Sequence, residues 1–446
     1  MSPSSSSADS FNVYATLLTR PSYLAGAILL SHTLHKHSPS TPLIILYTPG
    51  TLPKSAVKAL EEESQSSKCI LYPIEYLRLP ASEADGKDDG IVAERFIDTW
   101  TKLRVFEILE VNGRKIDRLC FLDADMMILC DPSPLIFNTS NDEYLSASEG
   151  EGHRIAATHV CVCNLDSDSW APSSWKKENC AFTPLPNSDA IAPVDPSSET
   201  KGIFNSGTFV FHPSPSIQTF VLDAFKNTPV NDLRKLKFPD QDFLNTVFHD
   251  RWASLSWRTN ALKTWRYWHP NIWADDQVAV LHYIVDKPWT ARVKTSVDNQ
   301  NRKIAGYKGD DGETHSWWWD EFELWKTQRE QDSPDLVVAV GKYVAGEKGY
   351  EDLDDDMKAI GHGAQGFASK WKDEKKAGGD DDSDKKQEPE QGPHGPILRK
   401  KVLGERGHGP VVRNPDFVQD QQHHNQQDGK PRKWKIPPMG SSYMEP

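Results

Sequence analysis

Residues 121–129, FLDADMMIL, place two carboxylates inside an apolar run that otherwise has the pattern of one buried strand. A strand covered on both faces is continuously apolar, so the charges of Asp123 and Asp125 require a partner. Burying unpaired carboxylates costs several kcal/mol, and a divalent cation would offset that cost. Oxygen ligands at a strand end suit Mn²⁺ or Mg²⁺ that bridges to a diphosphate. A surface turn with two aspartates is the alternative, but large apolar residues rarely flank such a turn on both sides.

Strand and helix patterns alternate along the first part of the chain. Strands are predicted at residues 11–18, 43–47, 69–72 and 118–122. Helices are predicted between them, at residues 21–35, 54–63 and 99–111, and the first of these has apolar residues at a period close to 3.6. Strands that alternate with helices are joined by crossovers into a mostly parallel sheet. The sequence therefore predicts an α/β fold.

The second part of the chain is predicted to add further elements to this sheet. Residues 141–200 are rich in Ser, Pro and Asp, which predicts a loop-rich insertion over the sheet. Strands are expected at residues 202–212 and 278–285, and helices at 216–227, from Asp240 onwards and at 316–328. Trp318, Phe322 and Trp325 share one face of the last helix, and this stripe indicates core packing rather than ligand stacking.

The ends of the chain have a different composition from its centre. Residues 1–10 are predicted to form a disordered leader, and residues 331–345 a linker. Residues 370–391 are mostly Lys, Asp, Glu and Gly, and the last stretch is rich in Gln, His, Pro and Gly. Such segments bury too little apolar area to offset the entropy of ordering. We therefore expect residues 346–446 to be a mostly disordered tail.

The charge balance argues against two classes of partner. The 446-residue chain has a formal net charge of −13 at pH 7, so it is not suited to bind nucleic acid or anionic membranes.

The sequence shows no signal for membrane insertion or secretion. The chain has no run of about 18 apolar residues that would predict a membrane span. The N-terminal residues lack the positive region and apolar core of a signal peptide. We therefore expect a cytoplasmic location.

Six cysteines occur, at positions 69, 120, 130, 161, 163 and 180. In a reducing compartment they are most simply interpreted as buried or idle thiols. Cys161, Cys163 and Cys180, with His153 and His159 nearby, suggest zinc as an alternative. Because Cys-x-Cys is not the usual two-residue spacing of zinc ligands, the interpretation as idle thiols is favoured.

Six short blocks follow one another along residues 11–330. They are residues 16–27, 101–104, 121–125, 204–211, 239–245 and 280–289, and they include Phe-Leu-Asp-Ala-Asp, Phe-Asn-Ser-Gly and Lys-Pro-Trp. Together they resemble the family 8 retaining glycosyltransferases that include glycogenin and galactinol synthase. Asp-x-Asp alone is a weak signal, whereas six blocks in the family's order are a specific one. The resemblance implies a catalytic domain over residues 11–330 with a Rossmann-like nucleotide-diphospho-sugar transferase fold, in which helices flank a mostly parallel, mixed sheet.

By this resemblance, Asp123, Asp125 and His282 would bind Mn²⁺, with Mg²⁺ as the alternative, and a UDP-sugar would be the donor substrate. Two carboxylates would offset the charge of the ion, and diphosphate oxygens would complete its coordination. The metal would stabilise the departing diphosphate, and Lys287 would add a second positive charge. The spacer between His282 and Lys287 is shorter than is common in the family, which predicts a tighter diphosphate loop. Taken alone, His282 would be interpreted as a packed core histidine.

The nucleotide contacts are also implied by the resemblance. Leu17, Thr19 and Tyr23 would line the uridine pocket, where Thr19 would hydrogen-bond the base and Tyr23 would stack on it. Lys102 and Arg95 would contact sugar or phosphate. Lys102 aligns directly with the family pattern, whereas Arg95 aligns with it only if a gap is allowed. A solvated helix charge is the alternative for both of these cations.

A second group of residues is expected beside the donor sugar. Gly207 would permit close backbone approach, and Asn205 offers both a donor and an acceptor. Asp240 and Gln241 would hold sugar hydroxyls near the reacting carbon, and helix capping is the alternative for Asp240. The predicted contacts are Ala124, Asn205, Ser206, Gly207, Asp240 and Gln241. A covalent intermediate and a same-face displacement both remain open, and no general base is assigned.

The acceptor is predicted from the second half of the chain. Residues 260–270 and 317–320 resemble the galactinol synthase branch, which implies galactose transfer from UDP-galactose to myo-inositol. Self-glucosylation of the glycogenin type is the alternative, with Tyr267 or Tyr443 as acceptor. We expect Tyr267 to be a buried aromatic, so a small polyol or saccharide acceptor is favoured.

Two further classes remain open at this stage. A non-catalytic scaffold would keep the fold and present its tail to a protein partner, but the intact Asp123, Asp125 and His282 set argues against it. A sugar-nucleotide pyrophosphorylase would need a glycine-rich basic loop near the N-terminus, and residues 19–21 do not supply one. A homodimer is compatible with the sequence.

Overall fold

A central sheet of seven strands organises the computed structural model, which describes residues 10–79, 99–147, 152–165, 167, 171–290, 292 and 312–346. The strands of the chain are β1 (Asn12–Leu18), β2 (Leu43–Tyr47), β3 (Ile70–Pro73), β4 (Glu110–Val111), β5 (Arg114–Lys115), β6 (Arg118–Leu122), β7 (Met126–Ile128), β8 (Ile155–His159), β9 (Phe204–Phe211), β10 (Trp252–Ser254), β11 (Ala261–Leu262) and β12 (Val280–His282). The spatial order of the central sheet is β10-β8-β9-β6-β1-β2-β3.

The central sheet is mostly parallel. Strand β9 runs antiparallel to its two neighbours, β6 and β8, and the other adjacent pairs are parallel. The predicted α/β, Rossmann-like fold with a mixed sheet is therefore confirmed. Strand β1 lies between β2 and β6, so the chain order reverses there, and open α/β sheets bind ligands at the carboxyl ends of strands at such a point.

Helices cover both faces of the sheet. They are α1 (Leu24–His37), α2 (Lys54–Ser67), α3 (Ser133–Ile136), α4 (Thr139–Ser146), α5 (Pro215–Asn227), α6 (Val230–Leu233), α7 (Pro239–Val247), α8 (Trp265–Trp268), α9 (Gly312–Asp332) and α10 (Pro334–Gly341). Side chains of a strand point alternately to opposite faces, and β1 shows this directly. Tyr14 and Leu18 lie in the core that contains α1, whereas Val13 and Ala15 lie in the core that contains α5 and α7.

A small second sheet brings the C-terminal half of the chain to the aspartate pair. Its order is β11-β12-β7, and β12 runs antiparallel to β7, with His282 opposite Met126. The Tyr283 backbone N–H then donates to the Asp125 carbonyl oxygen at 2.9 Å. This register places the imidazole of β12 beside the carboxylates that precede β7.

The structure differs from the sequence prediction at residues 99–111. A 3-10 helix spans Thr99–Glu107, and the chain then forms the short hairpin of β4 and β5. Asn112 and Gly113 have φ angles of 52° and 73°, which the Asn-Gly pair adopts readily in a two-residue hairpin turn. The predicted helix is therefore too long, because the Asn-Gly turn ends it and starts a hairpin.

Residues 141–200 also differ from the prediction of a loop-rich insertion. They include the end of α4 and the fully buried strand β8, which pairs with β9 and β10 in the central sheet. The sequence of β8, IAATH, is short and follows a polar stretch, so its burial on both faces is decided by its neighbours. The described residues between β8 and β9 contain one 3-10 turn, Lys177–Asn179, and otherwise form loops.

The C-terminal helices extend the folded part beyond the predicted boundary. Trp318, Phe322 and Trp325 of α9 are buried, so their predicted packing role is confirmed. The linker expected at residues 331–345 is wrong, because α10 lies there and buries Leu336 and Val340 beside α2. The predicted strand at 278–285 ends at His282.

Two expectations concern parts of the chain with little or no description. The predicted leader, residues 1–10, and the predicted tail, residues 346–446, lie outside the described residues apart from residues 10 and 346. Across the described ranges, no helix combines the length and the apolar character needed to span a membrane.

Candidate active site

The two aspartates lie at the bend between β6 and β7. Asp123 follows the last residue of β6, and its backbone N–H donates to the Gly207 carbonyl oxygen at 2.9 Å. Asp125 precedes β7 and is buried. Gly26 of α1 packs against the bend so closely that an added Cβ would lie 2.3 Å from the Ala124 carbonyl oxygen. Helix α1 therefore supports the backbone between the two carboxylates.

His282 meets both carboxylates. Its Nε2 atom lies 3.3 Å from Asp125 Oδ1 and 3.9 Å from Asp123 Oδ2. One ligand atom from each of the three residues falls within 4.8 Å of the others, so the group could hold a metal ion. The three residues that the sequence analysis selected as metal ligands are thus adjacent, although 157 positions separate Asp125 from His282 in the chain.

Asn260 orients the imidazole, and sequence reasoning assigned it no role. Its Nδ2 donates to Thr158 Oγ1 and to Asn205 Oδ1, both at 2.8 Å. Its Oδ1 therefore faces His282 Nδ1, at 2.8 Å, and accepts the Nδ1 proton. In the neutral imidazole, this hydrogen bond directs the lone pair of Nε2 at the carboxylates, which is the arrangement found in metal-bound histidines.

The His282 ring leaves no room for a side chain at position 207. A Cβ at this position would lie 2.6 Å from His282 Cε1 and 2.8 Å from Asn205 Oδ1. The side chain that approaches Gly207 closely in the structure is the His282 ring, and the close approach of a donor sugar there stays a prediction. The Gly207 N–H also donates to Asn205 Oδ1 at 3.0 Å, which holds the Phe-Asn-Ser-Gly segment of β9 in place.

Lys102 is a buried counter-ion and not a solvated helix charge. Its Nζ lies 2.9 Å from Asp123 Oδ1 and 2.6 Å from Asp240 Oδ2. Burial alone would lower the pKa of Lys102, but the two carboxylates outweigh this effect and raise it. Burial raises the pKa of Asp123 despite the opposing charge of Lys102. Ser206 Oγ donates to the same Asp240 oxygen at 2.9 Å.

Lys287 forms a buried ion pair with Asp125. The ammonium also donates to the Tyr283 carbonyl oxygen at 2.8 Å and lies 5.8 Å from the centre of the Tyr23 ring. Burial would raise the pKa of Asp125, but Lys287 and His282 lower it well below its ordinary value. The structure therefore places Lys287 beside the aspartate pair.

The turn that carries Lys287 is held by tryptophans of the aromatic core, which consists of the buried rings of Trp289, Trp318, Trp319, Phe322 and Trp325. Trp289 Nε1 donates to the Ser22 carbonyl oxygen, and Trp319 Nε1 donates to the Pro288 carbonyl oxygen, both at 3.0 Å. Val285 has a φ angle of 66°, so the short spacer after His282 turns sharply. This turn is consistent with the tighter diphosphate loop that the spacer length predicts, which stays a prediction.

Helix α7 supplies the side chains expected beside the sugar. Asn205 Nδ2 donates to Gln241 Oε1 at 3.0 Å, which joins this helix to β9. The N-cap residue of α7 is Phe238, and Asp240 lies in the first turn with its side chain directed at Lys102. The capping alternative for Asp240 is therefore wrong.

The predicted uridine-side residues lie near the end of β1. Leu17 is in β1, and Thr19 follows it, with its carbonyl oxygen accepting from Thr51 Oγ1 at 2.6 Å. The Tyr23 ring packs edge-on against Trp289, with centroids 5.8 Å apart. These contacts place the Tyr23 ring beside the turn that carries Lys287. Arg95 lies outside the described residues.

Tyr267 differs from the sequence prediction. It was expected to be buried among tryptophans, but it is 51 % exposed. The Arg266 guanidinium lies 5.9 Å from the centre of its ring. Helix α8 carries both residues. Trp265 is buried and Trp268 packs against the core, whereas Tyr267 lies on the exposed side of this short helix.

Comparison with known proteins identifies the family. The model described as "Glycosyl transferase family 8" matches residues 16–292, which is more than half of the chain. The chain belongs to glycosyl transferase family 8. It is therefore a glycosyltransferase with the nucleotide-diphospho-sugar transferase fold, and its matched region includes every described residue of the site above.

Named relatives of this family 8 glycosyltransferase include galactinol synthases. It is 24 % identical to Galactinol synthase 2 of Arabidopsis thaliana over 302 residues, covering 67 % of the chain and 76 % of the relative. It is 25 % identical to Galactinol synthase 1 of Solanum lycopersicum over 314 residues, covering 69 % and 80 %. Among solved structures, galactosyltransferase LgtC with donor and acceptor sugar analogues is similar with a TM-score of 0.40 at 13 % identity, covering 70 % of the chain and 95 % of LgtC.

Proposed function

We propose that this family 8 glycosyltransferase is a Mn²⁺-dependent retaining enzyme that transfers a hexose from a UDP-sugar to a hydroxyl of a small polyol or saccharide. The proposal rests chiefly on the meeting of Asp123, Asp125 and His282, with Asn260 directing His282 Nε2 at the two carboxylates. A histidine packed only for core stability would not need that orientation. Sugar transfer itself follows from the family.

The donor atoms of the site suit Mn²⁺, with Mg²⁺ as the alternative. Carboxylate oxygens favour hard divalent ions, and one imidazole favours manganese over magnesium among them. When bound, the ion would act as a Lewis acid on the diphosphate of the donor. Lys287 keeps Asp125 ionised and adds positive charge where the leaving group gains negative charge.

The sugar would be held by the side chains of β9 and α7. Asn205 and Gln241 are linked to each other and present amide groups that can bind hydroxyls. Asp240 is tied to Lys102 and Ser206, which supports a role in sugar binding and positioning rather than as a nucleophile. We assign no general base, so a covalent intermediate and a same-face displacement both remain consistent with these residues.

The donor and acceptor are proposed from the relatives. Because galactinol synthases match over about two thirds of the chain, we propose UDP-galactose as donor and myo-inositol as acceptor. The uridine would lie against Leu17, Thr19 and Tyr23 at the end of β1. The direct test is a panel of UDP-sugars and polyols with Mn²⁺, in which UDP release and the labelled product are measured together.

Asp125→Asn is the matched variant for this test, because it removes a charge and keeps the volume. We expect at least a 100-fold loss of Mn²⁺-dependent UDP release, since an amide is a poor ligand and leaves Lys287 without its counter-ion. Thermal unfolding measured in parallel would show that the fold is retained. Normal Mn²⁺-dependent rates in this variant would contradict the metal assignment.

Self-glucosylation is the second candidate, and one observation favours it. Tyr267 is 51 % exposed, so its hydroxyl is accessible to another copy of the enzyme. Intact-mass measurement after incubation with UDP-glucose and Mn²⁺ tests this, with Tyr267→Phe and Tyr443→Phe as controls. A gain of hexose mass that Tyr267→Phe abolishes would replace the small-acceptor proposal. The absence of binding and turnover with every donor would favour a scaffold.

A further inference from the structure

Four side chains that the proposed reaction does not use meet at one point outside the active site. Cys161 and Cys163 follow β8, Cys180 follows the 3-10 turn Lys177–Asn179, and His269 ends α8. One ligand atom of each lies within 4.8 Å of the other three. Cys163, Cys180 and His269 are buried, and Cys161 is partly buried.

The three sulfur atoms surround one nitrogen. The distances from His269 Nε2 are 3.4 Å to Cys161 Sγ, 3.2 Å to Cys163 Sγ and 3.5 Å to Cys180 Sγ. A neutral imidazole nitrogen carries either one proton or one lone pair, so it cannot hydrogen-bond three sulfurs well. A tetrahedral zinc ion with Zn–S of about 2.3 Å and Zn–N of about 2.0–2.1 Å gives S···N edges of roughly 3.5–3.6 Å. The observed distances are close to those edges.

Disulfide bonding does not account for the proximity of these sulfurs. All six cysteines of the chain lie in the described part and are free thiols. The histidines nearest in sequence are engaged elsewhere, since His159 Nε2 contacts the Ala192 carbonyl oxygen at 3.2 Å and the ring of His153 lies 5.1 Å from that of Phe220. The fourth group of the cluster comes instead from His269, 89 residues after Cys180.

We propose that Cys161, Cys163, Cys180 and His269 form a structural Zn²⁺ site. Three thiolates and one imidazole in a buried tetrahedral set are typical of closed zinc sites, which contribute directly to folding. This donor set is soft, in contrast to the oxygen-rich group of Asp123, Asp125 and His282. The two sites would therefore select different metals.

The zinc site would attach the loops after β8 to helix α8. The Phe182 and Trp265 rings lie 4.3 Å apart beside the cluster, and Asn271 Nδ2 donates to the Phe182 carbonyl oxygen at 3.0 Å. Thr158, three residues before Cys161, accepts the hydrogen bond from Asn260 that helps to orient His282. The zinc ion would thus have a positioning role for the active site, through the backbone of β8.

The test uses the full-length protein, purified without an affinity tag and dialysed against EDTA. Elemental analysis is expected to find about one zinc per chain. Replacement of zinc by Co²⁺ is expected to produce a thiolate-to-metal charge-transfer band in the near ultraviolet. This band requires sulfur ligands, so it separates the cluster from the aspartate site and from histidines elsewhere in the chain.

Matched variants locate the metal. Cys180→Ser should lose zinc and the charge-transfer band, and its Tm should fall by about 5 °C or more. Cys130→Ser changes an exposed cysteine outside the cluster and should keep both. Asp125→Asn should keep zinc while losing sugar transfer, so failure of the zinc site and failure of the proposed function are distinguishable.

Two results would overturn the proposal. One is full-length protein without zinc whose Co²⁺ complex lacks the charge-transfer band. The other is a disulfide between any two of Cys161, Cys163 and Cys180, found by peptide mass analysis of freshly purified protein under alkylating conditions. Both measurements use the unmodified chain, so they remain decisive even if Cys180→Ser does not fold.

Discussion

Two glycines allow the metal-binding groups to approach one another. Gly26 accommodates the Ala124 carbonyl oxygen against α1, and Gly207 accommodates the His282 ring against β9. At both positions a methyl group would fall within 2.6 Å of a neighbouring atom, which is closer than packed atoms can lie. The geometry of the site therefore depends on the absence of two side chains as well as on the charged residues.

Gly207→Ala tests this dependence directly. The added methyl group should displace the His282 ring, because its Cε1 atom would lie 2.6 Å away. We expect Mn²⁺ affinity to fall about 10–100-fold and kcat/KM to fall about 100-fold, since small displacements of a ligand are costly. Mn²⁺ titration of UDP release measures both effects.

Gly50→Ala is the control for this substitution, because a Cβ there meets nothing within 4 Å. It should keep the Mn²⁺ dependence of the wild-type enzyme. Equal behaviour of Gly207→Ala and Gly50→Ala would show that the His282 ring tolerates displacement, and would remove the argument that Gly207 is required by the metal site.

At the scale of elements, α1 and α9 are joined by a charged cluster beside the aromatic core. Glu321 of α9 accepts from Lys36 of α1 at 2.8 Å and lies 3.3 Å from His32 Nε2. Burial would raise the pKa of Glu321, but His32 and Lys36 outweigh burial and lower it to about 2, from 4.5. Helix α1 supports the bend that carries Asp123 and Asp125 through Gly26. The contact between α1 and α9 therefore helps to hold the active site in place and also stabilises the fold.

The pKa of Glu321 predicts how stability depends on pH. A carboxyl whose pKa is lower in the folded state binds more protons when unfolded, so its contribution is full above pH 4.5 and is lost as the pH falls toward 2. Glu321→Gln should therefore destabilise the protein more at pH 6 than at pH 3, as measured by urea unfolding. Glu330→Gln on the same helix, where the side chain is about half exposed, should show little difference between the two pH values.

A destabilisation by Glu321→Gln that is equal at both pH values would contradict this prediction. It would show that the side chain contributes by its volume and hydrogen bonds, without a change in proton binding between the folded and unfolded states.

At the scale of the whole molecule, the folded body extends through α10. Val340 is buried, and the Ala345 N–H donates to the Trp289 carbonyl oxygen at 2.8 Å. Trp289 belongs to the turn that carries Lys287, so the segment after α9 supports the active site. This contact explains why a boundary at residue 330 would be too early.

Two truncations test the extent of the catalytic part. A chain that ends at residue 350 should keep sugar transfer within about twofold, because all described residues of the site and its supports lie before that point. A chain that ends at residue 333 removes α10 with Leu336 and Val340, and should lose about 3 kcal/mol or more of unfolding free energy. UDP release and urea unfolding measure these effects. An inactive but folded chain ending at residue 350 would show that the tail takes part in the chemistry.

Much of the fold, and the three candidate metal ligands, could be predicted from the sequence because the signals for them lie in short segments of the chain. The alternation of strands and helices, the aspartates within an apolar run, and the order of the family blocks all depend on residues that are neighbours in the chain. These patterns predicted the α/β sheet with its mixed strands. The resemblance to the family selected Asp123, Asp125 and His282 as metal ligands, and the structure brings these three residues together.

Only the tertiary structure decided which distant groups meet, because packing and not local periodicity determines those contacts. It showed that Asn260 orients His282, that Lys287 pairs with Asp125, and that Lys102 lies between two carboxylates. It also joined Cys163 to a histidine 106 residues away, where the sequence offered closer histidines. Spacing along a chain limits the ligands that a short segment can supply, whereas a folded core brings together side chains from any part of it.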